Sequence, residues 1–238
     1  MSVAEVSVLS RDAAKRGAAH VLDVLRQDIL SLALAPGAVL SRQDLQERFR
    51  LSSTPIRDAL MKLQEEGLVD VFPQHATVVS PIDVEQARQA QFLRRSIELE
   101  LVRSLALAPA PALVERLRSL IRQQSVFADL GEYEQFSAAD QAFHRTMYEA
   151  EGVIDLWHLV RRRSGHIDRL RRLHLPKAGK IREILAAHTA ITDAVAAGDA
   201  PAAQEALRDH LSRSLDFVEQ LRQSHPEYFS GTDGRPAR

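Results

Sequence analysis

Leu51-Ser52-Ser53-Thr54-Pro55-Ile56-Arg57-Asp58-Ala59-Leu60, followed by Leu63 and then by Gly67-Leu68-Val69, is the stretch that decides the fold. Ser52 or Ser53 opens a helix there, because a short hydroxyl accepts from the free N–H groups of a first turn. Pro55 falls inside that turn, where its missing N–H is not needed. Ala59, Leu60 and Leu63 share one face, and Gly67 stops the helix. Immediately after it the pattern changes. Leu68-Val69-Asp70-Val71-Phe72 and Thr77-Val78-Val79 are β-prone runs around Pro73-Gln74-His75-Ala76, which predicts a small hairpin.

Two further helices precede this one. Over Ala18 to Leu34 the apolar positions Val21, Val24, Leu25, Ile29 and Leu32 keep a helical period, and Pro36-Gly37 closes the helix in a turn. Ser41 is the expected N-cap of a second, short helix with Asp44 three residues on, and Leu45 and Phe49 lie on one of its faces. Three helices with a tight turn before the third, then a two-stranded ribbon, make the winged helix-turn-helix plan, in which the third helix enters the major groove of DNA. That helix starts with Ser52, Ser53 and Thr54, whose hydroxyls reach phosphates or base edges, and Arg57, whose guanidinium can grip a guanine bidentately. Residues 1 to 80 hold 9 Lys plus Arg against 10 Asp plus Glu, whereas Arg42 to Lys62 hold 5 against 3. The positive charge, Arg42 and Lys62 included, is thus concentrated where a reader needs it.

The whole chain of 238 residues suits two domains, and its net charge of -1 excludes a global polycation, so any hold on nucleic acid is local. Hydrophobic residues at 45% and charged residues at 26% are globular proportions, which excludes wholesale disorder. The absence of cysteine removes disulfides, thiolate zinc sites and Cys nucleophiles together. No apolar run approaches the roughly 18 residues of a membrane span, and the N-terminus has no signal-peptide pattern, so a soluble cytoplasmic protein without a membrane partner is expected. Aromatics at 5% beside abundant Leu, Ala, Arg and Glu point to a mostly α fold. The expected domains are a flexible arm over 1–16, a winged helix-turn-helix over 17–80, an all-helical antiparallel bundle of six or seven helices over 81–222, and a flexible tail over 223–238.

The stretch quoted above, with its Ser-x-Thr-Pro-Ile-Arg-Asp-Ala-Leu string and Gly67-Leu68-Val69 at the right offsets, resembles the GntR family of bacterial transcription regulators. By that resemblance the DNA contacts fall on Ser52, Thr54, Arg57 and the wing at His75. Three positions depart from the common pattern: Ser53 and Gln43 stand where many relatives have arginine, and Ala76 stands at the usual wing glycine. The two lost arginines leave the operator sequence open.

In the second block, several ionisable residues fall at the centre of apolar helical stripes, where a charge is costly unless paired or liganded. Asp140 and His144 share a face with Phe136, Phe143 and Met147. His188 is bracketed by Ile181, Ile184, Leu185, Ile191 and Val195, and His210 by Ala203, Ala206, Phe217 and Leu221. Arg94 lies among Ala87, Ala90, Ile97, Leu101 and Leu105, and Arg163 among Leu156, Leu159, Val160, Ile167 and Leu170. A lone histidine on such a face is ordinarily a core residue. Three imidazoles and a carboxylate converging from three helices can instead make a site for a first-row divalent metal, and the pattern alone leaves both readings open.

Asp140-x-x-Phe143-His144, then His188-x-x-Ile191-x-x-Ala194-x-x-x-Gly198-Asp199-x-x-x-Ala203, then His210-Leu211 resemble the FCD domain, the helical bundle of the FadR subfamily of GntR regulators. The two resemblances cover residues 18 to about 222. This second one implies that Asp140, His144, His188 and His210 bind a divalent ion, zinc first, with nickel and manganese as alternatives. It also implies an effector-binding arginine in an Arg-x-x-[Leu/Ile]-Glu pattern, here Arg94 to Glu98, with a salt bridge between those two as the structural alternative. Periodicity adds Arg163 and, more weakly, His166 as effector contacts. Arg161 to Arg182 holds nine Lys plus Arg and one acid, Asp168, and reads as a solvated face near either DNA or the pocket mouth.

The expectation is a homodimeric repressor that reads a palindromic double-stranded operator and senses a small carboxylate at its metal-containing pocket. A regulator for which the ion is itself the signal, and a metal-dependent enzyme, are the competing readings.

Overall fold

The computed structural model describes residues 3–72, 75–176, 179–212 and 215–229, with side chains from residue 15 onward. Two units emerge, Met1–Asp83 with His225–Arg238, and Val84–Ser224.

In the first unit α1 (Val3–Leu30), α2 (Arg42–Phe49) and α3 (Ser53–Glu65) precede the antiparallel pair β1 (Val69–Phe72) and β2 (Ala76–Val79). The register pairs Val69 with Val79 and Phe72 with Ala76. Pro73 and Gln74 of the predicted turn lie outside the described residues. Ser41 caps α2 by accepting from the Asp44 N–H at 3.3 Å, as its spacing predicts. Val21, Leu25, Ile29, Ile56, Leu63 and Val79 are fully enclosed. Each such side chain stabilises the unit by about 1.5–3 kcal/mol. Arg26 of α1 grips Glu66, at the end of α3, through two hydrogen bonds of 2.8 and 2.6 Å.

Three features of this unit differ from expectation. The arm over 1–16 is helical from Val3, because a segment without Pro or Gly adds turns cheaply to a helix already nucleated at Ala18; residues 1 and 2 lie outside the described residues. The wing is reinforced by the segment before α2. There Gly37, at a φ of 84° that suits glycine, donates to Val79, Leu40 donates to Thr77, and Val39 bridges Val78. The expected loose tail is ordered from 223 to 229. Ile82 donates to the Tyr228 carbonyl at 2.7 Å in a parallel bridge that also joins Ile82 to Phe229, and both side chains are buried. Residues 230–238 lie outside the described residues.

The second unit is built from α4 (Val84–Leu107), α5 (Pro111–Asp129), α6 (Tyr133–Ala150), α7 (Ile154–Arg163), α8 (Gly165–His174), α9 (Lys180–Ala196), α10 (Ala200–Ser212) and α11 (Val218–Ser224). Its core joins Leu101, Val102, Leu117, Phe143, Met147, Ile191, Val195 and Leu207. Eight helices among the described residues replace the expected six or seven. The excess arises because the run from Ile154 to His174 breaks at Ser164, whose hydroxyl donates to the Val160 carbonyl, and because α11 is only seven residues long.

Candidate functional site

α6 carries Asp140 and His144 one turn apart, α9 carries His188 and α10 carries His210. All four are buried, and one ligand atom from each falls within 4.8 Å of every other. The apolar residues that sequence periodicity assigned to these faces explain the convergence: Phe136, Phe143 and Met147 on α6 and Ile191 and Val195 on α9 are enclosed in the same unit. His210 is the exception in detail. Phe217 and Leu221, read as its stripe partners, lie beyond the end of α10 at Ser212, Phe217 in the turn before α11 and Leu221 within it; Ala203 is buried on α10 as expected, with Leu207 and Leu211 beside it.

The proton placement inside this cluster is constrained. His188 Nδ1 stands 2.8 Å from Gln124 Oε1 and His144 Nδ1 stands 2.9 Å from Glu98 Oε2, the second contact lacking full hydrogen-bond alignment. An amide oxygen and a carboxylate both accept, so each Nδ1 carries the proton and each Nε2 is left with its lone pair. His210 Nε2 then lies 3.3 Å from the Nε2 atoms of both His188 and His144. A single N–H on His210 can serve only one of them. Asp140 Oδ1, 3.5 Å from His188 Nε2, is buried without a hydrogen bond.

Electrostatics keep these groups in ligand form. Burial drives the imidazoles of His144 and His210 well below the usual histidine value and takes His188 from 6.5 to about 4. Burial also opposes ionisation of Asp140, but Arg171, the neighbouring histidines and Arg94 outweigh it and hold the carboxyl down at about 2. Converging lone pairs and an orphaned carboxylate oxygen are the donor set of a cation. Ligands about 2.0–2.1 Å from a tetrahedral ion stand about 3.3 Å apart, matching the Nε2 spacings seen here. The residues fit a divalent metal.

Beside this cluster a narrow, open cleft is lined by Arg94, Asp140, Gln141, Trp157, Arg161, Ser164 and Arg171 among others. Arg94 donates from Nε to Glu98 Oε1 at 2.7 Å, so the salt bridge foreseen as an alternative is present while the same side chain still faces the cleft. Glu98 thereby links three groups, since Tyr148 also donates to Oε1 at 3.3 Å.

Arg163 does not line this cleft. It is exposed at the C-terminal end of α7, because the break at Ser164 resets the helical phase and Ile167 and Leu170 belong to the next helix. His166 is buried but turned to Arg169, 2.9 Å from its Nη2, at i+3 on α8 and outside the lining residues. Periodicity run through an unseen break therefore chose two residues off the cleft and missed Arg171. Arg161 was left undecided by the sequence and falls on the cleft. Gln124 was missed for a different reason. It completes the apolar stripe of Leu113, Leu117 and Ile121 and would have been found had uncharged polar residues been screened along with ionisable ones.

In the first unit Arg42, Ser52, Ser53, Thr54, Arg57, Lys62 and His75 are all exposed. Ser52 stands at the N-cap of α3 in extended backbone, yet its hydroxyl makes no capping bond, which leaves it available at the helix end. Arg57 is 63% exposed, with Asp58 at 3.7 Å as its contact.

The chain matches the model for the bacterial regulatory proteins of the gntR family over residues 18–79 and the FCD domain over 89–213. It is 41% identical to an HTH-type transcriptional regulator in an unstable DNA locus of Streptomyces ambofaciens, covering 87% of this chain and 86% of that one. It is 28% identical to the HTH-type transcriptional repressor RspR of Escherichia coli, covering 89% and 92%. The solved structure of McbR/YncC from E. coli has the same fold, with a TM-score of 0.73 at 20% identity over 86% of this chain and 97% of that one.

Proposed function

The chain belongs to the gntR family of bacterial regulatory proteins and carries its FCD domain, a DNA-binding transcription regulator rather than an enzyme, and from that premise we propose that it is a cytoplasmic, homodimeric repressor controlled by a small carboxylate at a metal-containing pocket. The observation that carries the proposal is the set of three Nε2 atoms and Asp140 Oδ1, which converge as the ligands of a cation would. No helix among the described residues is long and apolar enough to cross a membrane.

Ser52, Ser53, Thr54 and Arg57 read the operator, Arg42 and Lys62 hold phosphates, and His75 meets the DNA from the wing. A single α3 contacts too few base pairs for strong selectivity, and a two-fold dimer on a palindromic site doubles them. Repression is the sense carried by the name of the relative RspR. In the second unit Asp140, His144, His188 and His210 would hold the ion, with Glu98 and Gln124 orienting two of the imidazoles. When bound, that ion, zinc being favoured by the nitrogen-rich set, would take a carboxylate oxygen as a further ligand by expanding its coordination beyond the four protein groups. Arg94 presents a buried guanidinium to the same acid. The acid releases the operator by binding the weak-DNA arrangement more tightly than the strong one.

Fluorescence anisotropy with DNA from upstream of the protein's own gene tests this. A small acid should weaken DNA binding by the metal-loaded protein and lose that effect after chelation. An effect of the ion alone, unchanged by any acid, would make the ion the signal.

A further inference from the structure

The charges lining the cleft cancel in pairs. Arg94 lies against Glu98 at 2.7 Å, Arg161 against Asp168 at 2.6 Å and Arg171 against Asp140 at 3.5 Å, so three guanidiniums meet three carboxylates. A divalent ion held by the cluster adds two positive charges to a buried region that has already balanced itself, and uncompensated buried charge is costly.

Two of those pairs are poorly made. Arg171 stands beyond hydrogen-bond range of Asp140, and its guanidinium makes no hydrogen bond among the described residues. Asp168 Oδ2 and Asp140 Oδ1 are both buried without an aligned donor. Arg171 and Arg161 are each 21% exposed, on the open side of the cleft, whereas Arg94 is sealed beneath at 9%. Two outer guanidiniums with unfilled donor capacity therefore face whatever enters.

Resting on the receptor reading above, we propose that the site selects a short dianion, a dicarboxylate whose inner carboxylate sits at the metal and Arg94 and whose outer carboxylate is clamped by Arg171 with help from Arg161. Such a ligand cancels the charge of the ion and gives Arg171 the bidentate partner that Asp140 does not. Arg94, Arg161 and Arg171 line one and the same cleft, which keeps the two carboxylates only a few carbons apart. Arg171 and Arg161 are thus specificity-determining residues.

The test is titration calorimetry of the full-length, metal-loaded protein with malonate, succinate, malate and phthalate, each beside its monoamide. At least one diacid should bind 10-fold or more tighter than its monoamide. Arg171→Gln should erase most of that difference, and Arg161→Gln part of it, with metal content by mass spectrometry establishing that each variant titrated is fully loaded. A monoamide that binds within twofold of every diacid, or an Arg171→Gln protein that loses both ligands equally, would overturn the dianion proposal while leaving a carboxylate receptor in place. A fully metal-loaded protein that binds none of these acids overturns the receptor reading, and this one with it.

Discussion

His188 and His210 face each other through their Nε2 atoms at 3.3 Å, in a region where burial keeps both imidazoles neutral. Gln124 takes the proton side of His188, so the facing atom is a lone pair. His210 makes the same contact with His144 and can donate to only one of the two, so at least one of the contacts is a repulsion that a cation relieves. Removing the ion should therefore lower the melting temperature markedly. Chelator-stripped protein, followed by circular dichroism, should recover its melting temperature on addition of zinc, while His210→Ala protein gains nothing from zinc.

Gln124 should matter to the metal without touching it. Gln124→Leu keeps the volume close to native but leaves the His188 tautomer unset. Metal affinity should fall about 10–100-fold, the range for groups that orient ligands, with helix content retained. Competition against a chromophoric chelator would measure this.

Acid should weaken the metal-free protein in a defined window. His188 has a folded value of about 4 against 6.5 when free, so between those two the unfolded chain binds more protons. Stability therefore falls as pH drops from 6.5 towards 4, by about 3 kcal/mol for His188 alone, and His144 and His210 act in the same direction. Asp140, shifted from 3.8 to about 2, adds a further loss only below that window. Urea denaturation of stripped protein at pH 7 and pH 5 should show the drop, and the metal-loaded protein should show a steeper one.

Arg57 should carry DNA affinity without carrying stability. Its side chain is 63% exposed and contributes nothing to the winged core, so Arg57→Ala should leave the melting temperature unchanged. Operator binding should weaken by about 1–3 kcal/mol and lose discrimination at one base pair if Arg57 reads an edge. A uniform loss across sequences, with a smaller salt slope, would make it a phosphate contact.

Phe229 should be a structural residue of the DNA-binding unit despite lying near the C-terminus. It is 4% exposed and bridges Ile82. Phe229→Ala should destabilise that unit by about 3 kcal/mol, the lower end for a buried aromatic. Limited proteolysis near Ser80 to Asp83 would report the loosening.

The readable parts of this chain were those where local chemistry and tertiary packing agree. The start of α2 rests on the cap that Ser41 makes, the end of α3 on the stop at Gly67 and the hairpin from Val69 to Val79 on its β-branched runs, whereas α3 starts at Ser52 as expected without the capping bond that suggested it. The four candidate ligands were legible because a polar residue inside an apolar stripe violates the pattern around it. Arg171 was missed because the break marked by Ser164-Gly165 was read through as continuous helix, and every later residue changed face. The pairing of Ile82 with Phe229 joins residues 147 positions apart through backbone groups, which no side-chain periodicity records.

The most direct test of the central claim is metal stoichiometry. Protein stripped with chelator, reloaded with zinc and desalted should hold one ion per chain by mass spectrometry, and His188→Ala and His210→Ala proteins should hold essentially none while still binding DNA. Equal metal content in wild type and both variants, or none in any of them, would contradict a metal centre built from Asp140, His144, His188 and His210.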